Sequence, residues 1–253
     1  MEEPVVIITG ANNGIGFHMT RDLLKNQHCV AGFDLSGENL DSLMAEYPDR
    51  LRFYPCDVAD HTQVESAVEQ VIGEWGRIDI LVNNAALAIF APFEEKSPED
   101  TRREFEVNYF GYLHTIRAVL PHMKAQGQGI IHNFGSGVGI TGFPGIYGYV
   151  STKGAIESLT RTLALEFEPF GIHVTLMHPP LTRTQSSAPL GIPPQMMADP
   201  EQVGRQLARQ IRSIRPVITS GLQSSIGLWM MRLFPTGMGR LLSRAALRAR
   251  ADR

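Results

Sequence analysis

The chain has 253 residues, of which 43% are hydrophobic and 19% charged, and its formal net charge is −3. This length and composition suit one large α/β domain with a full core. The slightly acidic balance gives no electrostatic basis for a nucleic-acid partner.

The two cysteines, Cys29 and Cys56, lie in separate apolar runs without the spacing of metal ligands. We expect buried free thiols in a reducing compartment rather than a disulfide scaffold, and no metal site. No signal peptide fits before the first apolar run at Val5, and no apolar segment reaches the roughly 18–20 residues of a spanning helix. These features predict a cytoplasmic protein.

The first predicted elements indicate a nucleotide-binding unit. Residues 5–8 form an apolar run typical of a strand buried on both faces, and an amphipathic pattern begins at Phe17. A glycine-rich turn between such a strand and helix lets the backbone approach a pyrophosphate, which the helix N-terminus attracts. The turn residues predicted to contact a dinucleotide are Gly10, Asn13, Gly14, Ile15 and Gly16.

The second predicted strand, over residues 29–33, ends in Asp34. A carboxylate there can accept hydrogen bonds from both adenosine ribose hydroxyls and would repel a 2′-phosphate. No lysine or arginine stands at positions 12, 13, 35, 36 or 37 to bind such a phosphate. The sequence therefore favours NAD over NADP. The alternative is that Asp34 serves only as a turn or cap residue.

Strand and helix patterns continue to alternate along the next fifty residues. A third strand over 51–56 is followed by Asp57 and Val58, which could flank the adenine, and a helix spans 61–75. A fourth strand over 78–82 is closed by residues 83–86. This alternation implies a parallel sheet with right-handed crossovers. The predicted fold is α/β, a Rossmann-type doubly wound parallel sheet of about seven strands.

The second half carries residues with chemical potential. Ser97 precedes a long predicted helix whose interior contains Asn108, and an Asn there is either buried with hydrogen-bond partners or on the surface. Tyr149 and Lys153 share one face of a later helix. A neighbouring ammonium should lower the phenol pKa from about 10, towards values useful for proton exchange with an alcohol. By itself the pair could equally be a packing Tyr and a solvated Lys.

Taken together, these pieces resemble the classical short-chain dehydrogenase/reductase family over residues 5 to about 220. The matching positions are the Thr-Gly-x-x-x-Gly-x-Gly turn over 9–16, Asp57, the Asn-Asn-Ala segment over 83–85, Asn108, Ser136, Tyr149 and Lys153. The resemblance implies that Tyr149 is the catalytic acid/base and that Lys153 binds the nicotinamide ribose and tunes the phenol. It also implies that Ser136 orients the substrate oxygen and that Asn108 holds a water linking Lys153 to solvent.

The resemblance also implies cofactor contacts beyond the glycine-rich turn, at Asp57, Val58, Asn84, Ala85, Ala86, Pro179 and Thr184. Three positions depart from the family pattern. Ala86 stands where glycine is usual, Pro180 follows Pro179 where glycine is usual, and Gly135 replaces a frequent serine. Pro180 lacks an N–H and has a fixed φ, which changes how this loop could meet the nicotinamide amide. His178, just before the two prolines, is expected to be structural rather than a second base.

A proline-rich connection over residues 179–200 is predicted to form a lid. Its apolar content suggests a hydrophobic substrate, such as a steroid-like, long-chain or aromatic secondary alcohol or ketone. The alternative is that these side chains only pack the lid. Residues 1–221 are assigned to the nucleotide-binding domain and residues 222–253 to a helical extension.

The extension joins an apolar segment over 226–234 to a helix whose Arg240, Arg244 and Arg248 form a basic stripe. The sequence slightly favours packing of this extension over the substrate cleft or against another subunit, since the resemblance implies a homodimer or homotetramer. The alternative is contact with an anionic membrane surface, of which such a pattern is also typical.

The resulting hypothesis is an NAD-dependent oxidoreductase that interconverts a hydrophobic secondary alcohol and its ketone, with Tyr149 as acid/base. One alternative is an NADP-dependent ketoacyl-type reductase, which Asp34 disfavours. The other is a nucleotide-sensing or scaffolding homologue without turnover.

Overall fold

In the computed structural model, which describes residues 3–251, the chain folds around one seven-stranded sheet. All six strand pairings are parallel, in the order β3-β2-β1-β4-β5-β6-β7. The strands are β1 Val5–Thr9, β2 Cys29–Asp34, β3 Leu51–Pro55, β4 Ile80–Asn83, β5 Gly129–Phe134, β6 Ile172–His178 and β7 Val217–Thr219. The order reverses between β1 and β4, which opens a crevice at the carboxyl ends of these strands. The predicted Rossmann-type sheet is confirmed.

Helices cover both faces of the sheet. They are α1 Gly14–Lys25, α2 Asp41–Glu46, α3 His61–Trp75, α4 Pro98–Phe105, α5 Gly111–Gln126, α6 Val138–Thr141, α7 Tyr147–Phe167, α8 Pro200–Ala208, α9 Leu222–Leu233 and α10 Pro235–Ala251. Val5 and Ile7 of β1 pack with α3, α5 and the end of α7, whereas Val6 and Ile8 pack with α1 and α8. This two-sided burial explains why β1 is continuously apolar.

The predicted long helix after Ser97 is interrupted. Ser97 caps α4 by accepting a hydrogen bond from the Asp100 N–H at 3.0 Å, as expected. A π-helical turn, Glu106–Phe110, then separates α4 from α5 and contains Asn108. Such turns insert one extra residue into a helix and occur frequently at functional sites.

The predicted lid has more structure than its sequence indicates. Two 3-10 helices, Gln185–Leu190 and Pro194–Met196, lie within it. A parallel β-bridge joins Thr182 to Ala198 and ties the two ends of the segment together. The connection is therefore a compact loop rather than an extended strap.

Both cysteines are buried and free, as predicted, and burial raises the pKa of Cys29 to about 11 and that of Cys56 to about 12. Among the described residues, no helix combines the length and apolarity needed to cross a bilayer. The assigned boundary at residue 221 falls between β7 and α9. Arg248, predicted to extend the basic stripe, lies outside the part of the chain whose side chains are described.

Candidate active site

The glycine-rich turn between β1 and α1 is braced by the segment that follows β4. The Thr9 hydroxyl oxygen accepts hydrogen bonds from the backbone N–H groups of Asn84 and Ala85, both at 3.0 Å. The Asn84 side-chain amide donates to the carbonyls of Thr9 and Gly10, also at 3.0 Å. A Cβ on Gly16 would overlap the Gly10 carbonyl. The first turn of α1 therefore packs directly against a fixed loop.

The N-terminus of α1 is suited to a pyrophosphate. Gly10 and Gly14 adopt φ values of +68° and +55°, which side chains disfavour. The first turn of the helix contains no acidic residue, and Asn13 at its N-cap gives no side-chain cap. Instead, the side-chain Oδ1 of Asn13 accepts a hydrogen bond from the side-chain amide of Asn39 at 3.0 Å. The uncapped helix end attracts an anion, so these residues fit a dinucleotide.

Other turn contacts complete this cradle. Ile15 lies in the first turn of α1 and is half-buried. A Cβ on Gly14 would come within 3.1 Å of the Thr184 methyl group, so the start of the lid touches the turn. Pro179, immediately after β6, is partly exposed, and Ala86 is exposed. The structure thus brings Asn84, Ala85 and Thr184 against the glycine-rich turn.

Asp34 holds a fixed negative charge at the end of β2. Its carboxylate oxygens accept hydrogen bonds from the backbone N–H groups of Asn12, at 2.9 Å, and Leu35, at 2.8 Å. The side chains hydrogen-bonded around this corner are the neutral Asn12, Ser36 and Asn39. A ribose placed here would meet a carboxylate and neutral amides.

Asp57 and Val58 differ although they are adjacent. The Asp57 carboxylate accepts a hydrogen bond from the Ala59 N–H at 2.9 Å, and the residue is partly exposed at the rim. The Val58 side chain is buried against Gly111, and its carbonyl contacts the His114 ring at 3.0 Å. Only Asp57 presents its side chain towards the outside.

Lys153 is buried beside the Tyr149 ring. Its ammonium donates to the Phe134 carbonyl at 2.8 Å and to the Tyr112 hydroxyl at 3.2 Å. It lies 5.6 Å from the centre of the Tyr149 ring. Burial lowers the pKa of Lys153 to about 7. Tyr112 was not identified from the sequence, because it resembles any core tyrosine of an amphipathic helix.

The Tyr149 phenol lies beside Ser136, which brings the predicted acid/base and the predicted orienting residue together. Burial raises the pKa of Tyr149, and the hydrogen bond with the Ser136 hydroxyl acts in the opposite direction. The predicted lowering of this pKa by Lys153 is therefore wrong for the contacts described. The hydrogen bonds of Lys153 go to Phe134 and Tyr112, and burial disfavours the phenolate.

Asn108 is fully buried and its side chain is saturated with hydrogen bonds. Its amide donates to the Leu87 carbonyl at 2.8 Å and to the Thr152 hydroxyl at 3.1 Å. Its carbonyl oxygen accepts from the Leu87 N–H at 2.7 Å. The expectation of a buried, partnered Asn is confirmed, and the surface alternative is wrong. Asn108 links the loop after β4 to helix α7; its proposed water remains a prediction.

A buried ion pair beneath the start of α7 was not predicted. The side chains of Lys96 and Glu104 are both fully buried and form a salt bridge. Both also bind the backbone of Ile89, since Lys96 donates to its carbonyl at 3.0 Å and Glu104 accepts from its N–H at 2.8 Å. A Cβ on Gly148 would overlap the Glu104 carboxylate. The pair fixes the loop after β4 next to Tyr149.

A second cluster of charges connects α7 to the C-terminal extension. Arg232 of α9 and Arg161 of α7 both donate to the same Glu157 oxygen, at 2.7 and 3.0 Å. The nearest His178 ring nitrogen lies 3.8 Å from Glu157, and neither of its nitrogens has a hydrogen-bond partner. Burial, followed by Arg232 and Lys153, lowers the pKa of His178 to about 4. That His178 is structural rather than a second base stays a prediction.

The C-terminal extension packs beside the loop that contains Ser136 and Gly137. Gly137 directly follows Ser136, and a Cβ there would lie 2.6 Å from the Met231 sulfur of α9. A Cβ on Gly239 of α10 would overlap the Thr141 carbonyl at the end of α6. These contacts place the extension beside Ser136 on the same chain, and its contact with another subunit or with a membrane stays a prediction.

Comparison with known proteins agrees with this geometry. A family model described as short chain dehydrogenase matches residues 4–192. The chain belongs to the short-chain dehydrogenase family. It is accordingly an NAD(P)-dependent oxidoreductase of the kind that acts on CH–OH groups. The match ends before α8, so the extension lies outside it.

Three curated relatives illustrate the range of the family. A 3-ketodihydrosphingosine reductase from Bacteroides thetaiotaomicron is 34% identical over 71% of this chain, which spans 64% of that protein. A 3-oxoacyl-[acyl-carrier-protein] reductase FabG from Thermotoga maritima is 36% identical, covering 73% of this chain and 76% of the relative. A 3alpha-hydroxysteroid dehydrogenase from Mediterraneibacter gnavus is 33% identical, covering 75% and 78%.

Solved structures show the same fold. A short-chain dehydrogenase from Streptomyces avermitilis is 30% identical with a TM-score of 0.79, covering 90% of this chain and 92% of that one. A 3-ketoacyl-(acyl-carrier-protein) reductase from Brucella melitensis, complexed with NADH, is 27% identical with a TM-score of 0.78, covering 87% and 98%. ElxO with NADP bound is 26% identical with a TM-score of 0.76, covering 87% and 95%.

Proposed function

We propose that this protein uses NAD to interconvert a secondary alcohol and a ketone on a hydrophobic substrate. The observation that carries the proposal is the meeting of the Ser136 hydroxyl and the Tyr149 phenol, with Lys153 buried behind them. A hydroxyl and a phenol side by side can hold one substrate oxygen and exchange its proton.

In the oxidation direction, Tyr149 must be a phenolate to accept the proton of the substrate hydroxyl, although burial raises its pKa. Ser136 donates a hydrogen bond that favours the phenolate and orients the oxygen. The bound nicotinamide supplies the hydride chemistry. Asn108 and the Lys96–Glu104 pair hold the loop after β4 in place. Lys153 binds the Phe134 carbonyl at the end of β5. Reduction of the ketone reverses the proton transfer.

The preference for NAD rests on the Asp34 corner. Two backbone N–H groups hold the Asp34 carboxylate at the end of β2. It would accept hydrogen bonds from ribose hydroxyls and repel a 2′-phosphate, and the neutral Ser36 and Asn39 offer no compensating cation.

The preference for a hydrophobic substrate rests on the apolar side chains near the cleft. Ile89, Ile140, Phe143 and Ile146 lie on the segments that flank Tyr149. The names of two relatives, a ketodihydrosphingosine reductase and a hydroxysteroid dehydrogenase, also point to long-chain or steroid-like compounds. The name of the FabG relative favours a second candidate, a ketoacyl-type reductase, and the ElxO structure with NADP bound favours NADP as its cofactor.

The test is steady-state turnover of hydroxysteroids, long-chain secondary alcohols and β-ketoacyl thioesters, each with NAD and with NADP. We expect turnover of an apolar alcohol with NAD, and a loss of roughly 10²- to 10⁴-fold in Tyr149→Phe, because the proton-transfer group is removed. Asp34→Ala should weaken the preference for NAD. Full activity of Tyr149→Phe would refute the assigned role. Preference for thioesters with NADP would establish the second candidate.

A further inference from the structure

Helix α9 has two opposed faces, and only one of them packs against the part of the chain that the structure describes. Leu228, Met231 and Arg232 face inwards: Leu228 is buried, Met231 touches Gly137 and Arg232 binds Glu157. The outward positions are Leu222, Ile226, Trp229 and Leu233, which are 79%, 56%, 60% and 49% exposed. At 100° per residue these four side chains fall within an arc of about 60°. They form one continuous apolar stripe, called here the α9 stripe.

The next helix adds positive charge next to exposed apolar groups. Phe234, between the helices, and Leu241 of α10 are 58% and 60% exposed. Arg240 and Arg244 are also exposed. On a helical projection, Arg240, Arg244 and Leu241 lie within one arc of about 100°. Both arginines line an open groove between α10 and residues 141–144. Gly239 and Ala246 provide the opposite, buried face of α10.

The charge of this region is unlike that of the whole chain. Residues 222–253 contain six arginines and one acidic residue, Asp252, whereas the entire chain has a formal net charge of −3. No acidic residue stands between Glu201 and Asp252. The exposed apolar stripe is therefore accompanied by an excess of positive charge, of which Arg232 is paired with Glu157.

We propose that the α9 stripe and the arginines of α10 dock this protein on an anionic phospholipid surface. Apolar side chains including a Trp can enter the boundary between headgroups and acyl chains, while guanidinium groups bind lipid phosphates. A second copy of the chain fits less well. A two-fold dimer would place this surface on itself and would bring two sets of arginines together without acidic partners. The bilayer supplies the charge that the protein lacks.

The experiment measures co-sedimentation of the full-length protein with phosphatidylcholine vesicles, with and without phosphatidylglycerol. We expect binding to the anionic vesicles, and a loss of binding as salt is added. Arg240→Gln with Arg244→Gln should weaken binding about 25-fold, because each arginine near an anionic surface contributes about fivefold. Ile226→Ser with Trp229→Ser should abolish it. Since these four side chains are exposed, the thermal unfolding of both variants should match that of the wild type.

Matched controls carry the same chemical changes elsewhere on the surface. Leu165 of α7 is 74% exposed, so Leu165→Ser removes an exposed leucine outside the stripe. Arg209→Gln with Arg212→Gln removes two exposed arginines near α8. Both controls should bind like the wild type.

Three outcomes would overturn the proposal. One is equal binding to neutral and anionic vesicles, and a second is equal loss of binding in the controls. The third is absence of vesicle binding together with an oligomer that Ile226→Ser with Trp229→Ser dissociates, which would assign the stripe to a second copy of the chain. Vesicle binding is measured without turnover, so its failure is distinguishable from failure of the proposed activity.

Discussion

The crevice has a nucleotide side, around the glycine-rich turn, and a catalytic side, around Tyr149. The two sides are stabilised by different kinds of interaction. The glycine-rich turn is held by backbone groups and the neutral side chains of Thr9 and Asn84, with Asp34 as a single charge at its corner. The catalytic side contains the buried charges of Lys96, Glu104 and Lys153. Backbone dipoles hold an anion with little desolvation, whereas buried charges require exact partners to be stable. The two sides should therefore fail in different ways.

The largest effect is expected at the buried pair on the catalytic side. Glu104→Gln leaves the Lys96 ammonium buried and unpaired, which should lower the free energy of unfolding by about 3–5 kcal/mol. Replacing both residues, with Lys96→Met and Glu104→Leu, should recover most of that loss because no unpaired charge remains. Urea unfolding measures both variants.

The control for this prediction is the exposed pair Arg102–Glu99 on the same helix, whose side chains are 73% and 70% exposed. Glu99→Gln should leave stability essentially unchanged, because solvent screens such pairs. If Glu104→Gln behaved like Glu99→Gln, the buried charges would not determine the stability of the catalytic side.

On the nucleotide side, the most damaging substitution should be one that adds volume at the glycine-rich turn. Gly16→Ala places a Cβ against the Gly10 carbonyl and within 2.7 Å of the Asn84 amide. Overpacking of this kind costs about 1–3 kcal/mol, and it should also weaken nucleotide binding, because the turn must open. Gly73→Ala on α3, where a Cβ meets nothing within 4 Å, should leave the nucleotide dissociation constant unchanged. Calorimetric titration compares the two variants.

The dependence of stability on pH tests the role of the buried His132 ring in β5. His132 of β5 contacts the Thr175 hydroxyl at 2.5 Å and the Ile211 carbonyl at 2.7 Å, and burial lowers its pKa to about 4. Its unfolded pKa is about 6.5, so the unfolded chain binds the proton first. The contribution of His132 to the free energy of unfolding is therefore full above pH 6.5. It falls by up to about 1.4 kcal/mol per pH unit between pH 6.5 and pH 4.

His132→Gln should flatten this slope between pH 6.5 and 4, although it lowers stability at neutral pH. His173→Gln, at an exposed position of β6, should leave the slope as it is. Unfolding curves at several pH values distinguish the two. His178, whose pKa is also lowered to about 4, should contribute to the slope that persists.

The smallest effect is expected where the extension meets α7. Arg232→Gln removes a bond to Glu157 that spans 75 positions in sequence, whereas Arg161→Gln removes a bond to the same oxygen from within α7. Both bonds are partly exposed, so each loss should be about 1 kcal/mol or less. Only Arg232→Gln should raise the KM of the substrate, because only that change loosens α9 beside Gly137. Equal KM values in the two variants would contradict this view of the extension.

The difference between the two sides also explains what the sequence could predict. The turn, its flanking strand and helix, and Asp34 follow from local spacing, and the apolar run of β1 identifies a doubly covered strand. Tyr149, Ser136 and Lys153 were identified by resemblance to a family, and the structure brings them together. The parallel sheet of seven strands and the predicted cap at Ser97 are likewise observed.

The remaining features depend on contacts that no local pattern records. Lys96 and Glu104 read as surface charges in sequence, yet both are fully buried. Arg232 and Glu157 are too distant in sequence for their pairing to be inferred. The π-helical turn at Asn108 has no distinct composition, and the phenol pKa was wrong because the burial of Tyr149 and the partners of Lys153 could not be known.

The position of the His178 ring explains one departure from the family pattern, the glycine at position 135. A Cβ at Gly135 would lie 2.9 Å from the His178 ring. The imidazole thus fills the space that a serine at position 135 would need. A serine at position 135 should then be tolerated only when position 178 shrinks, and related chains should vary at these two sites in concert.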